Sequence, residues 1–224
     1  AASSAYGISL TAEGPDGQPQ RVQSGGPGVS FMAGQWGPEG GASSIWRIDG
    51  ATGAVSLFAN IGDGASAASL GGLAFDPASK SFFVADRGTG LIHRPSISGE
   101  LLDSYDHGVT GLGAVGLDPV PMPDAKAPGI GSPEFDSARP ETWGYAPPPR
   151  RVFGLAVHGG RLYYAVADGL QVWSVGLGDD GAPGSDARIE IAVPPAAGPT
   201  EISKITFDEQ GRLYLAERPA ATGA

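Results

Sequence analysis

The chain has 224 residues, no cysteine and a formal net charge of −10. Disulfides, thiolate catalysis and cysteine-ligated metal sites are therefore excluded. Nucleic acid is a poor partner, because phosphate binding needs clustered basic residues; the three lysines, Lys80, Lys126 and Lys204, are scattered.

With 41% hydrophobic and 17% charged residues the chain can bury a core. Its 37 glycines and 20 prolines, set among alternating apolar residues, indicate a turn-rich β protein. No apolar run approaches the roughly 18 residues of a membrane span, so membrane insertion is not expected.

Taken in order, the opening AASSAYGI reads as the tail of a second strand, and residues 11–28 as an irregular insertion rich in Gly, Pro and Gln. SSIWRID (43–49) and AVSLFANI (54–61) read as strands joined by a DGATG turn. Residues 72–92, GLAFDPASKSFFVADRGTGLI, hold two strands across a polar turn. GLIHRPS (90–96) and ELLDSYD (100–106) follow as third and fourth strands.

Residues 107–150 break the pattern with PVPMPDAKAPGIGSP and YAPPPRR. Proline removes ladder donors, so this is an insertion and not internal strand. The two-strand unit then returns in GLAVHGGRLYYAVADGLQV (154–172), followed by GLQVWSV (169–175) and ARIEIAV (187–193). It returns again in KITFDEQGRLYLAE (204–217).

The repetition sets the architecture. Leu73 to Asp86 and Leu155 to Asp168 are both 13 residues, and Ile205 to Glu217 is 12. Four short antiparallel strands per unit with Gly/Asp turns make an all-β propeller of four-stranded blades. About three and a half blades are visible, whereas propellers close with four to eight; the chain is expected to be a piece of a longer polypeptide. Helix should be nearly absent. Leu73/Phe75, Leu155/Val157 and Ile205/Phe207 should each face one side of their first strand.

The repeats resemble NHL repeats. Gly72, Leu73, Ala74, Asp76, Val84, Ala85, Asp86 and Gly88 fall on that pattern; the second unit keeps Gly154, Leu155, Ala156, Ala167 and Asp168, with His158 replacing the first Asp. The third keeps Phe207, Asp208, Tyr214, Ala216 and Glu217. The resemblance implies a six-bladed propeller related to the SMP-30/gluconolactonase and amidating-lyase propellers. The runs PPRRVFGLAVHGGRLYYAVADGLQVWSV and GPTEISKITFDEQGRLYLAER also resemble a type of exported bacterial protein. That resemblance implies a periplasmic, cell-surface or extracellular location.

Asp86, Asp168 and Glu217 stand at matching places in the repeat. They are either a carboxylate ring able to hold Ca²⁺ or, as turn chemistry favours, caps of the turn into the third strand. No cofactor is expected. The lactonase ligand set cannot be placed, since Asn60 is the only asparagine. A zinc site would need His93, His107 and His158 to converge. Strand aromatics such as Phe83, Tyr164 and Trp173 are expected to pack between blades. Trp36, Trp143 and Tyr145 lie on Gly/Pro-rich loops and, with the neighbouring Arg150, are the candidate binding residues.

The expected function is a non-enzymatic binding or scaffold module presenting its loops to a protein, a glycan or neighbouring subunits. The alternatives are a metal-dependent hydrolase or lyase using the central channel, and a structural subunit of a larger surface assembly. The 107–150 insertion should pack on the propeller through Phe135, Trp143 and Tyr145.

Overall fold

The computed structural model describes residues 11–13, 17–21, 43–61, 70–122, 142, 144–194 and 200–219. Among these the chain is all-β. A short pair, β1 (Thr11–Glu13) and β2 (Pro19–Arg21), lies inside the stretch expected to be irregular. It is followed by a hairpin of β3 (Ser44–Ile48) and β4 (Val55–Asn60).

Two complete four-stranded meanders come next. The first runs in the order β5 (Leu70–Asp76), β6 (Ser81–Asp86), β7 (Leu91–Pro95), β8 (Leu101–Asp106). The second runs β9 (Val152–His158), β10 (Arg161–Val166), β11 (Gln171–Gly176), β12 (Arg188–Ala192). The hairpin β13 (Thr200–Phe207) and β14 (Leu213–Pro219) follows. Helix among the described elements is confined to short turns at His107–Gly111, Leu112–Ala114 and Asp168–Leu170.

The first strands β5, β9 and β13 lie side by side, and each sheet fans outward from its first strand. That is the radial stacking of propeller blades. Two glycines allow the inner strands to approach so closely. A Cβ on Gly72 would stand 2.5 Å from the Phe153 carbonyl oxygen and 2.8 Å from the Leu155 nitrogen. One on Gly154, the same place in the next repeat, would stand 3.1 Å from Ile202 O and Lys204 N. The third repeat has Lys204 there, and its side chain is exposed.

Alternation along the first strands builds the interfaces between blades. Leu73 packs with Ile45, Ala59, Ile61 and Val84, between the β3–β4 hairpin and the first full blade. Ala74, one residue on, faces the opposite way into the cluster of Phe83, Ile92, Leu155, Leu162, Tyr164 and Trp173. Leu155 and Val157 join that same cluster, while Ala156 turns toward Ile202 and Ile205. Ile205 and Phe207 complete the third interface. The expected pairs thus take one facing in every repeat. Phe75 keeps to its side by ring contact with Phe82, although it is 44% exposed.

The hairpins explain where the repeats depart from one another. Asp76 caps the β5–β6 turn by accepting from Ala78 N and from the Ser79 N and Oγ. Asp208 does the same for Gln210 N and Arg212 N. The middle repeat has His158 at this position and needs no carboxylate. Gly159 and Gly160 take φ of 56° and 72°, the mirror-image turn that closes a two-residue hairpin.

Candidate functional site

The three repeat carboxylates do not form a ring. Asp86 pairs with Leu70 and Glu217 with Ile202, each three residues before the matching Leu73 and Ile205. In the middle blade that place belongs to Val166, paired with Val152. The turn lengths account for this: four residues at 77–80, two at 159–160 and, inside the bond from Asp208 N to Arg212 O, three at 209–211. The equal 13-residue intervals therefore compare different positions, and Asp168 falls two residues beyond its supposed equivalents.

Asp86 is a turn cap, accepting from Gly88 N at 2.9 Å and Thr89 Oγ1 at 2.8 Å. Asp168 is exposed in a single 3-10 turn. Glu217 is exposed within β14, where it accepts from Thr200 Oγ1 at 2.9 Å.

The histidines are equally separate. His93 on β7 contacts Ser104 Oγ at 2.8 Å, and its Nε2 is 3.6 Å from Asp86. His107 is fully buried against Tyr164 and Trp173, and burial pushes its pKa down to about 4, so it is neutral at ordinary pH. His158 stacks on Phe207. Among the described residues no three His, Asp or Glu side chains converge on a metal-sized site.

Of the loop residues, Trp36, Phe135 and Trp143 lie outside the described residues. Arg150 is fully buried rather than presented to a partner. It donates from Nε to Thr89 O at 2.7 Å, from Nη1 to Val120 O at 2.5 Å, and from Nη2 to Asp106 at 3.1 Å. One side chain thereby ties the start of the insertion to its end and to the first full blade. Tyr145 is also taken inward, over Arg87.

That contact opens onto a charged cluster where the three described first strands begin. Arg87 leaves the end of β6; Arg151 and Phe153 stand at the start of β9; Glu201 lies at the start of β13, opposite Arg218 on β14. Arg87 and Glu201 are 0% and 3% exposed.

Arg87 Nη2 donates to Glu201 Oε2, and Nη1 donates to the Tyr145 hydroxyl at 2.5 Å. Its guanidinium carbon sits 3.9 Å from the Tyr145 ring centre and 4.3 Å from that of Phe153. Arg218 also approaches Phe153, at 4.6 Å. Arg151 Nε lies 3.4 Å and Arg218 Nη2 3.9 Å from the Glu201 carboxylate.

Among the described residues three guanidiniums thus share one carboxylate, a local excess of positive charge in an acidic chain. Burial pushes Arg151 and Arg218 down, and the charge of Arg87 adds to this. Arginine is too basic to respond by losing its proton. Burial raises the Tyr145 phenol, which stays neutral. Arg87 Nε, Arg151 Nε, Arg218 Nε and Glu201 Oε1 are buried without a hydrogen-bond partner. Beside them Ala165, Val166 and Ile202 form the apolar wall of a narrow crevice that Arg151, Phe153 and Glu201 close.

The sequence carried a signal for this cluster. V-A-D-R at 84–87 and L-A-E-R at 215–218 put an arginine immediately after the repeat carboxylate. The carboxylate attracts attention as a ligand, yet Asp86 is taken up by its own turn and Glu217 by Thr200, while the arginine after each joins the cluster.

No family model and no curated protein matches the chain. Among solved structures it is similar to the PQQ-bound form of aldose sugar dehydrogenase from Streptomyces coelicolor, at 17% identity and a TM-score of 0.38. The match covers 92% of this chain and 60% of that one.

Proposed function

We propose that the chain is a non-enzymatic binding or scaffold module of an exported or cell-surface bacterial protein. It is built as an NHL-like propeller, six-bladed when complete, and it presents loops to a protein or glycan partner or to neighbouring subunits. The observation that supports this reading is the Arg150 clamp. It joins Val120, Thr89 and Asp106, so both ends of the insertion are anchored at one place on a rigid blade. A loop held at its base by a buried guanidinium is a display device, because the scaffold bears the ordering cost of the base. Tyr145 and Arg150 belong to the base. Specificity then rests on the residues between, together with Trp36 and Trp143.

The test replaces residues 124–140 with a short Gly/Ser linker, sparing Val120, Tyr145 and Arg150. Glycan-array binding and cross-linking to surface proteins should be lost, while the melting temperature stays within a few degrees of the parent. A wider deletion of 118–146 should also destabilise the fold, since it removes Val120 and Tyr145 from their contacts. Unchanged binding after the swap would refute the loop reading. Stoichiometric bound metal accompanied by hydrolytic or lyase turnover would replace it with the metal-enzyme alternative.

A further inference from the structure

We propose that Ser104 is a nucleophilic serine that accepts an acyl group from an activated ester, with His93 as its general base and Asp86 orienting the imidazole. The register of the first full blade builds this line. His93 stands opposite Val84 on β6 and opposite Ser104 on β8, so the three share one face of the sheet. Asp86, two residues beyond Val84 on the same strand, belongs to that face as well. Asp86 and His93 are buried, whereas Ser104 is exposed.

The other repeats are apolar at these places. Where the first full blade pairs His93 with Ser104, the β3–β4 hairpin has Trp46 opposite Leu57, and the second full blade has Trp173 opposite Ile189. The place of Asp86 is taken there by Val166. A blade that gives up a tryptophan and an aliphatic partner for a histidine, a serine and a carboxylate loses apolar burial, and such local departures concentrate at functional sites.

The contacts fix the roles. A carboxylate is acceptor-only, so the imidazole turns its Nε2–H toward Asp86 Oδ2, 3.6 Å away. Nδ1 is then the acceptor, and the Ser104 hydroxyl donates to it at 2.8 Å. Asp86 is itself held in place by Gly88 N and the Thr89 hydroxyl. A nucleophile, a base and a third group that orients the base are the parts of an activated serine. The long contact to Asp86 is of the kind that tightens as charge develops on the ring during reaction.

In the reaction Ser104 Oγ forms a bond to the acyl carbon while its proton passes to His93 Nδ1. The bond between that carbon and the leaving oxygen breaks, and His93 returns the proton to the departing alcohol. The donor is an ester with a good leaving group, whose own reactivity lowers the barrier that an exposed serine has to cross. The product is a chain esterified at Ser104, a modification of the scaffold that is independent of the displayed loop.

The experiment incubates the full chain with p-nitrophenyl acetate and follows p-nitrophenol release and the intact mass. One acetyl group per chain should be taken up, and peptide mapping should place it on Ser104. Ser104→Ala should abolish this uptake, and His93→Gln should slow it about a hundredfold, the value of general base catalysis. Asp86→Asn, whose amide oxygen still caps the turn, should slow it about tenfold, the value of one contact to a charged group. Ser98→Ala removes an exposed hydroxyl that pairs with Ser96, and it should leave the rate unchanged. Thermal unfolding of each variant checks that the fold survives. Acetyl groups on lysines alone, or a Ser104 adduct that forms as fast in His93→Gln as in the parent, overturns the proposal. The parent rate in Asp86→Asn overturns the role given to Asp86. None of these outcomes depends on residues 124–140, so the loop reading stands or falls separately.

Discussion

Two buried polar regions of this molecule respond to burial in opposite ways. Between the two full blades, His107 packs edge-on against Tyr164 and Trp173, and Tyr105 reaches the same Tyr164 hydroxyl. The histidine accommodates burial by giving up its charge: its pKa falls to about 4 and its Nδ1 lies 3.2 Å from the Tyr164 hydroxyl. At the strand starts, Arg87 is equally buried but cannot become neutral. It is stabilised instead by Glu201 and by the faces of Tyr145 and Phe153. A titratable group can enter a blade interface by becoming neutral beside a hydroxyl, whereas a permanent cation must bring an acid with it.

The largest effect should come from removing the acid. Glu201→Gln leaves three guanidiniums around a neutral amide and should cost about 3–5 kcal/mol, the usual penalty for breaking a buried pair. Urea unfolding would read this as a lower midpoint at unchanged slope. A loss under 1 kcal/mol would mean that water screens the cluster, and the contrast with His107 would collapse.

The neutral region should show itself through pH. The folded pKa of His107 is below its unfolded value, so between about 6.5 and 4 the unfolded chain binds more protons. Stability should be full above about pH 6.5 and fall by up to about 3 kcal/mol as pH drops through 4. His107→Gln should flatten this part of the profile relative to the parent, in chemical denaturation repeated at several pH values. A parallel profile for the variant would place the proton uptake elsewhere.

Both regions depend on inner strands held close by glycine. Gly72→Ala drives a Cβ against the Phe153 carbonyl and should cost about 1–3 kcal/mol by overpacking. Gly50→Ala, with nothing within 4 Å, is the matched control and should lie near zero. Equal midpoints for the two would show that the strand spacing relaxes.

The smallest expected change is Tyr145→Phe. It keeps the ring over Arg87 but removes the acceptor of Arg87 Nη1, for about 1–2 kcal/mol. A loss as large as that of Glu201→Gln would make the phenol an equal partner of the carboxylate.

Most of the fold was legible from residue pattern. Apolar runs such as SFFVAD and RLYYAV, separated by Gly and Asp turns, mark strands because alternation and turn chemistry are local properties. The four-strand order and the shared facing of Leu73, Leu155 and Ile205 follow from a period-2 pattern repeated along the chain.

Repeat intervals proved a weaker guide. Asp168 matched Asp86 in count but not in place, because hairpin length varies without altering the strands. Arg150, on a proline-rich loop, has the local look of an exposed charge, and only the meeting of Thr89, Val120 and Asp106 makes it a buried clamp.

The sequence by itself therefore determined the strands, their turns and their grouping into blades, since these depend on neighbours a few residues apart. Tertiary structure alone decided which charges meet. Arg87 and Glu201 are 114 residues apart, and their contact exists only because the first strands β5, β9 and β13 pack side by side, which brings the end of β6 to the start of β13. The chain repeats an arginine after the repeat carboxylate at Arg87 and Arg218, but nothing local says that these two meet each other and Glu201; that is decided only where the blades assemble.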